Sequence, residues 1–133
     1  MRVIVKGIGG FHLACDAEGI YEMISNIISN AIRYTPPGGT IYTEVLQKDK
    51  EVEITVKDTG IGIPLGDYGK IFKEFHRSQN ARNFVKAGTG LGLTIVNRIV
   101  ERYNGKIEFE SQEGKGTTFR ILLPCVTSSF RQD

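Results

Sequence analysis

A chain of 133 residues, 40% of them hydrophobic, is long enough for one globular core and too short for two comfortable ones. Its 17 Lys and Arg against 15 Asp and Glu leave a net charge of +2 without any long run of one sign. That balance excludes a general nucleic-acid or acidic-lipid surface, so any phosphate binding has to be local. No apolar run approaches the roughly 18 to 20 residues that span a bilayer, and the first residues lack a signal-peptide core, so the chain as given reads as soluble.

In chain order, Arg2 to Lys6 and Phe11 to Cys15 read as two short strands in a hairpin-like arrangement around Gly7, Gly9 and Gly10. A helix follows, with Asp16 as its N-cap and an end before Pro36, because a residue preceding proline is pushed out of the α region. Within it, Ile20, Met23, Ile24, Ile27, Ile28 and Ala31 recur at three- and four-residue spacing and form one apolar stripe. At about 100° per residue, Glu22, Asn26, Asn30 and Arg33 fall within roughly 80° of one another on a second, polar stripe, with Ser25 and Ser29 beside them. Asn and Ser lower helix propensity, so two Asn one turn apart on that face invite a functional explanation as readily as a solvated one.

Pro36 to Gly39 reads as a turn, and Thr40 to Leu46 and Glu51 to Lys57 as strands of a hairpin. Leu65 to Ala87 contains a short amphipathic piece, Tyr68 to Phe75, and then a weakly patterned stretch expected to be mobile. A glycine-rich turn, Gly88 to Gly92, leads into a second helix, Leu91 to Tyr103, that stops at Asn104-Gly105. Strands Lys106 to Ser111 and Thr117 to Leu123 complete the domain, which spans residues 1–126 and leaves 127–133 as a frayed tail. The expected fold class is α+β. It is a two-layer α/β sandwich whose mixed, mostly antiparallel sheet is covered on one face by about three helices.

Cys15 and Cys125 have no metal-ligand or CxxC spacing and read as reduced core residues, while His12 and His76 are too isolated to build a cage. Chemistry has to come from elsewhere. Asp58, at the end of a strand in DTGIG, would aim a carboxylate above the sheet, where a purine amino group could satisfy it and Gly60 and Gly62 would let backbone approach a flat ring. Taken alone, the same residues are also what a plain turn looks like. Gly88 to Gly92 (GTGLG) opens a helix, as a backbone phosphate cradle does, yet matches neither a Walker A loop nor the dinucleotide GxGxxG spacing. Together with Asn side chains able to offer an amide oxygen to Mg²⁺, the three segments form a joint pattern more specific than any one of them.

That pattern resembles the GHKL superfamily of ATP-binding domains, and within it the catalytic domain of sensor histidine kinases. NIISNAIRYT is similar to the family's N box, DTGIGI to its first glycine box, IFKEFHR to its F box and GTGLGLTIV to its second glycine box, in the family's order. The resemblance implies that Asn30 ligates Mg²⁺ bridging the ATP phosphates, with Asn26 and Arg33 beside the same phosphates, Arg33 standing where relatives commonly have Lys. Tyr34 would line the nucleotide site and Asp58 would accept from the adenine amino group, with Gly60 and Gly62 close to the ring. Gly88, Thr89, Gly90, Leu91 and Gly92 would form the phosphate-facing end of a lid, Ser78 to Ala87 its mobile part, and Thr117 would back the adenine pocket. Phe72 and Phe75 read as core anchors at the lid's base.

The resemblance further implies a monomeric, cytoplasmic domain of a kinase that can be membrane-anchored. Its partners would be the parent's dimerisation and phosphoacceptor domain and the receiver domain of a response regulator, with neither nucleic acid nor membrane as a direct contact. The ATP-hydrolysing relatives and the anti-sigma kinases carry Glu four residues before the metal Asn, where this chain has Asn26, an amide that cannot act as a base. A hydrolytic machine and a nucleotide-sensing module without catalysis are the competing expectations.

Overall fold

The computed structural model describes residues 2–7, 12–13, 17–48, 51–73 and 92–126. Helix α1 spans Ala17–Arg33 and buries Met23, Ile27 and Ala31, which share a stripe by their four-residue spacing. Its end is built locally. The Thr35 hydroxyl turns back to donate to the Ala31 carbonyl at 2.7 Å, and the Tyr34 N–H donates to Asn30 O at 3.2 Å, so the chain leaves the helix just before Pro36.

Strands β3 (Thr40–Lys48) and β4 (Glu51–Asp58) are antiparallel neighbours, and β4 pairs in turn with β6 (Gly116–Val126). β5 (Lys106–Gln112) lies antiparallel along the other edge of β6 from Gly116 to Leu122. Alternation places Ile41, Val52, Ile54, Val56, Phe119, Ile121 and Leu123 on the covered face of this sheet. Against them pack α1 and helix α2 (Gly92–Arg102), which contributes Val96, Ile99 and Val100. A 3-10 helix, Leu65–Lys70, is the third helical element among the described residues. The fold is therefore the expected two-layer α+β sandwich with a mixed, mostly antiparallel sheet.

α2 ends as its sequence dictates. Asn104 takes a left-handed φ of 61°, and the Gly105 N–H reaches back to Val100 O at 2.8 Å.

Two expectations need correction. Strands β1 (Arg2–Gly7) and β2 (His12–Leu13) do not form a hairpin: β1 pairs with β3 in parallel, and β2 pairs with the far end of β6 at Val126 and Cys125. The glycines between them promised a turn, but pairing partners were decided by the sheet. Residues 65–73 also differ, since the helix runs Leu65–Lys70 with none of its residues buried, and the apolar anchors Ile71 and Phe72 come in the turn after it. Asp16, Cys15, Phe75, His76, the stretch 78–87 and the tail 127–133 lie outside the described residues.

Candidate nucleotide site

The site is organised at the end of β4. Asp58 pairs across the sheet with Thr117 at the start of β6, and its carboxylate Oδ1 accepts from the N–H groups of Gly60, at 2.8 Å, and Thr117, at 3.2 Å. Burial pushes the Asp58 carboxyl above its ordinary range, and these two backbone donors pull it partly back. Both of these donors fall on Oδ1, and among the described residues none reaches Oδ2.

The loop after Asp58 is tied down on both sides. The Ile61 N–H donates to Tyr34 O at 3.1 Å, which fixes the loop to the end of α1, and the Gly114 N–H donates to Ile61 O at 2.7 Å, which fixes it to the β5–β6 turn. Such close approach explains the glycines. A Cβ at Gly60 would lie 2.5 Å from Tyr34 O and 2.8 Å from Asp58 Oδ1, and one at Gly62, whose φ is +74°, would lie 2.2 Å from Gln112 O. Both positions thus need glycine to close the protein's own backbone around Asp58, a reason independent of any ring.

On α1, Asn26 donates from Nδ2 to Glu22 O at 2.7 Å, which fixes its amide. Its Oδ1 then lies 3.6 Å from where a Cβ of Gly92 would stand, so the polar stripe of α1 faces the first residue of α2. Asn30 lies one turn further along the same stripe, half-buried, and its side chain has no hydrogen bond among the described residues. Arg33 is exposed in the last turn and Tyr34 is half-buried just beyond it. Glu22 is exposed. Gly88, Thr89, Gly90 and Leu91 lie outside the described residues.

Phe72 anchors rather than reacts. Its carbonyl accepts from the buried Thr94 hydroxyl at 2.9 Å, pinning the first turn of α2, and its ring meets Phe109 edge-on at 6.4 Å. Sequence reasoning missed Ser111. Its hydroxyl lies 2.8 Å from Thr117 Oγ1, accepts from the Ile63 N–H at 2.8 Å and reaches Gly116 O at 3.1 Å, while its carbonyl accepts from the Tyr68 hydroxyl. A serine in an alternating strand carries no signal of its own, because its partners lie up to 48 residues away.

A half-buried carboxylate beside a backbone-lined loop, an amide-bearing helix and the facing start of a second helix define a nucleotide-binding domain of the α+β sandwich type. Residues 15–127 match the model of the histidine kinase-, DNA gyrase B- and HSP90-like ATPases, and the chain belongs to that family. It is 43% identical over 115 residues to the sensor histidine kinase WalK of Bacillus subtilis, covering 85% of this chain and 19% of WalK. Its fold matches the mycobacterial sensor histidine kinase MprB with a TM-score of 0.83 at 29% identity, over 93% of this chain and 83% of that one. The nucleotide-free catalytic domain of the histidine kinase ThkA follows at 0.77 and 27%, over 92% and 79%. The chain thus spans about a fifth of the length of WalK.

Proposed function

We propose that this chain is the ATP-binding catalytic domain of a two-component sensor histidine kinase, occupying residues 1–126. It donates the γ-phosphoryl group of ATP to a histidine on the parent's separate dimerisation and phosphoacceptor domain, from which the group passes to a response regulator receiver domain. Asn26 carries this reading. The place where hydrolytic relatives hold a carboxylate is an amide whose nitrogen is tied to Glu22 O and whose oxygen faces Gly92, while Glu22 itself is exposed and takes no part. With no base at that place to activate water, the domain's work is positioning phosphates for an external imidazole nucleophile.

The donor chemistry suits Mg²⁺. The described residues gather no group of three or more His, Cys, Asp or Glu, so a hard cation is proposed to be held by an amide oxygen together with phosphates, and that amide is assigned to Asn30. When bound, Mg²⁺ would neutralise charge on the phosphates. Asp58 selects the purine through its amino group, Thr117 backs it, Tyr34 and Arg33 border the site from the end of α1, and the start of α2 supplies a positive helix end.

Titration calorimetry with ATP tests the assignment. Asp58→Asn is expected to weaken binding about 10- to 100-fold, the worth of a hydrogen bond to a charged group, while Asn30→Ala removes the Mg²⁺ dependence and leaves metal-free binding largely intact. Unchanged binding in both variants means that the site has been misplaced.

A further inference from the structure

Helix α1 has an apolar flank that the nucleotide site does not use. Ile20, Tyr21, Ile24, Ser25, Ile28 and Ser29 line an open groove of about 630 Å³ along it. Tyr21 is 75% exposed there, and Ile32, one turn beyond Ile28, is 44% exposed. Ile28 is half-buried yet stands outside the cluster of side chains packed on the core. At about 100° per residue, Tyr21, Ile28 and Ile32 fall within roughly 40° of one another and at least about 120° from Asn26 and Asn30. Apolar groups gathered on the surface in this way mark a contact face.

The residues on that face match a copy of themselves. Laid antiparallel on a second α1, about a two-fold axis at the Asn26-Ile27 peptide, the helix sets Tyr21 opposite the second copy's Ile32, Ile24 opposite its Ser29 and Ser25 opposite its Ile28. Isoleucines thus meet small serines in the middle, where the helices come closest. Ser25 costs little to bury, because its hydroxyl already donates to Glu22 O at 3.3 Å. Charge selects the same direction. Glu18 in the first turn and Arg33 in the last are exposed, border the same flank and form no ion pair among the described residues. The antiparallel arrangement brings each near its opposite on the second copy, whereas a parallel one sets like charges together. We infer that this flank of α1 docks a second copy of the chain, as a weak antiparallel helix pair that leaves the nucleotide flank open. It departs from the monomer that the resemblance implies. One helix face is a small interface, so the pair belongs to the weak, transient class. Under the proposed function, two copies held by the parent's dimerisation domain would meet at an effective concentration on the order of 1 mM.

Sedimentation equilibrium of the whole chain without nucleotide, from about 10 µM to about 1 mM, tests this. The wild type is expected to dimerise across that range. Tyr21→Ser, at a position too exposed to disturb the core, is expected to keep the melting temperature and to weaken the dimer about tenfold or more. Glu18→Arg and Arg33→Glu are each expected to weaken it, and the double variant, which restores opposite charges across the pair, to recover most of the loss. A wild-type chain that stays monomeric at about 1 mM overturns the inference, and it is the result expected if the groove holds another domain of the parent instead. A dimer that Tyr21→Ser leaves unchanged, or that the double charge exchange fails to restore, also overturns it.

Discussion

Asp58 holds a charge that its surroundings resist. Burial raises its carboxyl, and the two N–H donors on Oδ1 compensate only in part, so the native state binds its proton more tightly than the unfolded chain does. The sign follows from linkage. The contribution of Asp58 to stability is full below the unfolded carboxyl pKa of about 3.9 and is lost as pH rises through the higher folded value. Asp58→Asn keeps an acceptor for Gly60 and Thr117 but removes the charge. In thermal melts without nucleotide it is expected to match the wild type in acid and to exceed it by a few degrees at neutral pH, even as it weakens ATP binding. A variant less stable than wild type at neutral pH contradicts this. Asp58 was legible from the sequence because a strand ended on it with glycines following. Ser111 was not, because nothing local distinguishes a serine that bonds across the fold from one that meets water.

Elements were legible where one periodicity dominated. The stripe of α1 and the alternation of β3, β4 and β6 gave their own burial, and Asn104-Gly105 gave the end of α2. The first strands misled because glycine spacing describes a local turn, while β1 and β2 found partners in β3 and β6, far along the chain. The 3-10 helix was displaced for a related reason: Ile71 and Phe72 are apolar through tertiary packing, not through membership of a helix face. The loop that follows β4 has the sharpest requirement. Gly62→Ala would place a Cβ against the Gln112 carbonyl at a positive φ and is expected to cost about 2 to 4 kcal/mol in denaturant unfolding. Gly66→Ala, in the 3-10 helix with nothing within 4 Å of its Cβ, is expected to stay within about 0.5 kcal/mol. Equal costs at the two positions would mean that the loop is not built on contact with the β5–β6 turn.

At the scale of the whole molecule, the candidate site residues are drawn from widely separated segments. Asn26 and Asn30 come from α1, Asp58 and Gly60 from the end of β4, Gly92 from the start of α2 and Thr117 from β6. The motifs announced each segment, and the fold explains their order: each lies at an element's end or along the one helix face directed at the opening of α2. Under the proposed function Asn26 is the decisive residue, since an amide there would leave the domain dependent on a nucleophile from outside. The direct measurement is incubation of this chain with γ-labelled ATP, Mg²⁺ and the phosphoacceptor domain of its parent kinase supplied in trans. The account predicts label on a histidine of the added domain, only when both proteins are present, and none on this chain alone. Strong self-labelling of the chain, or steady ATP hydrolysis with no label reaching the added histidine, would contradict it.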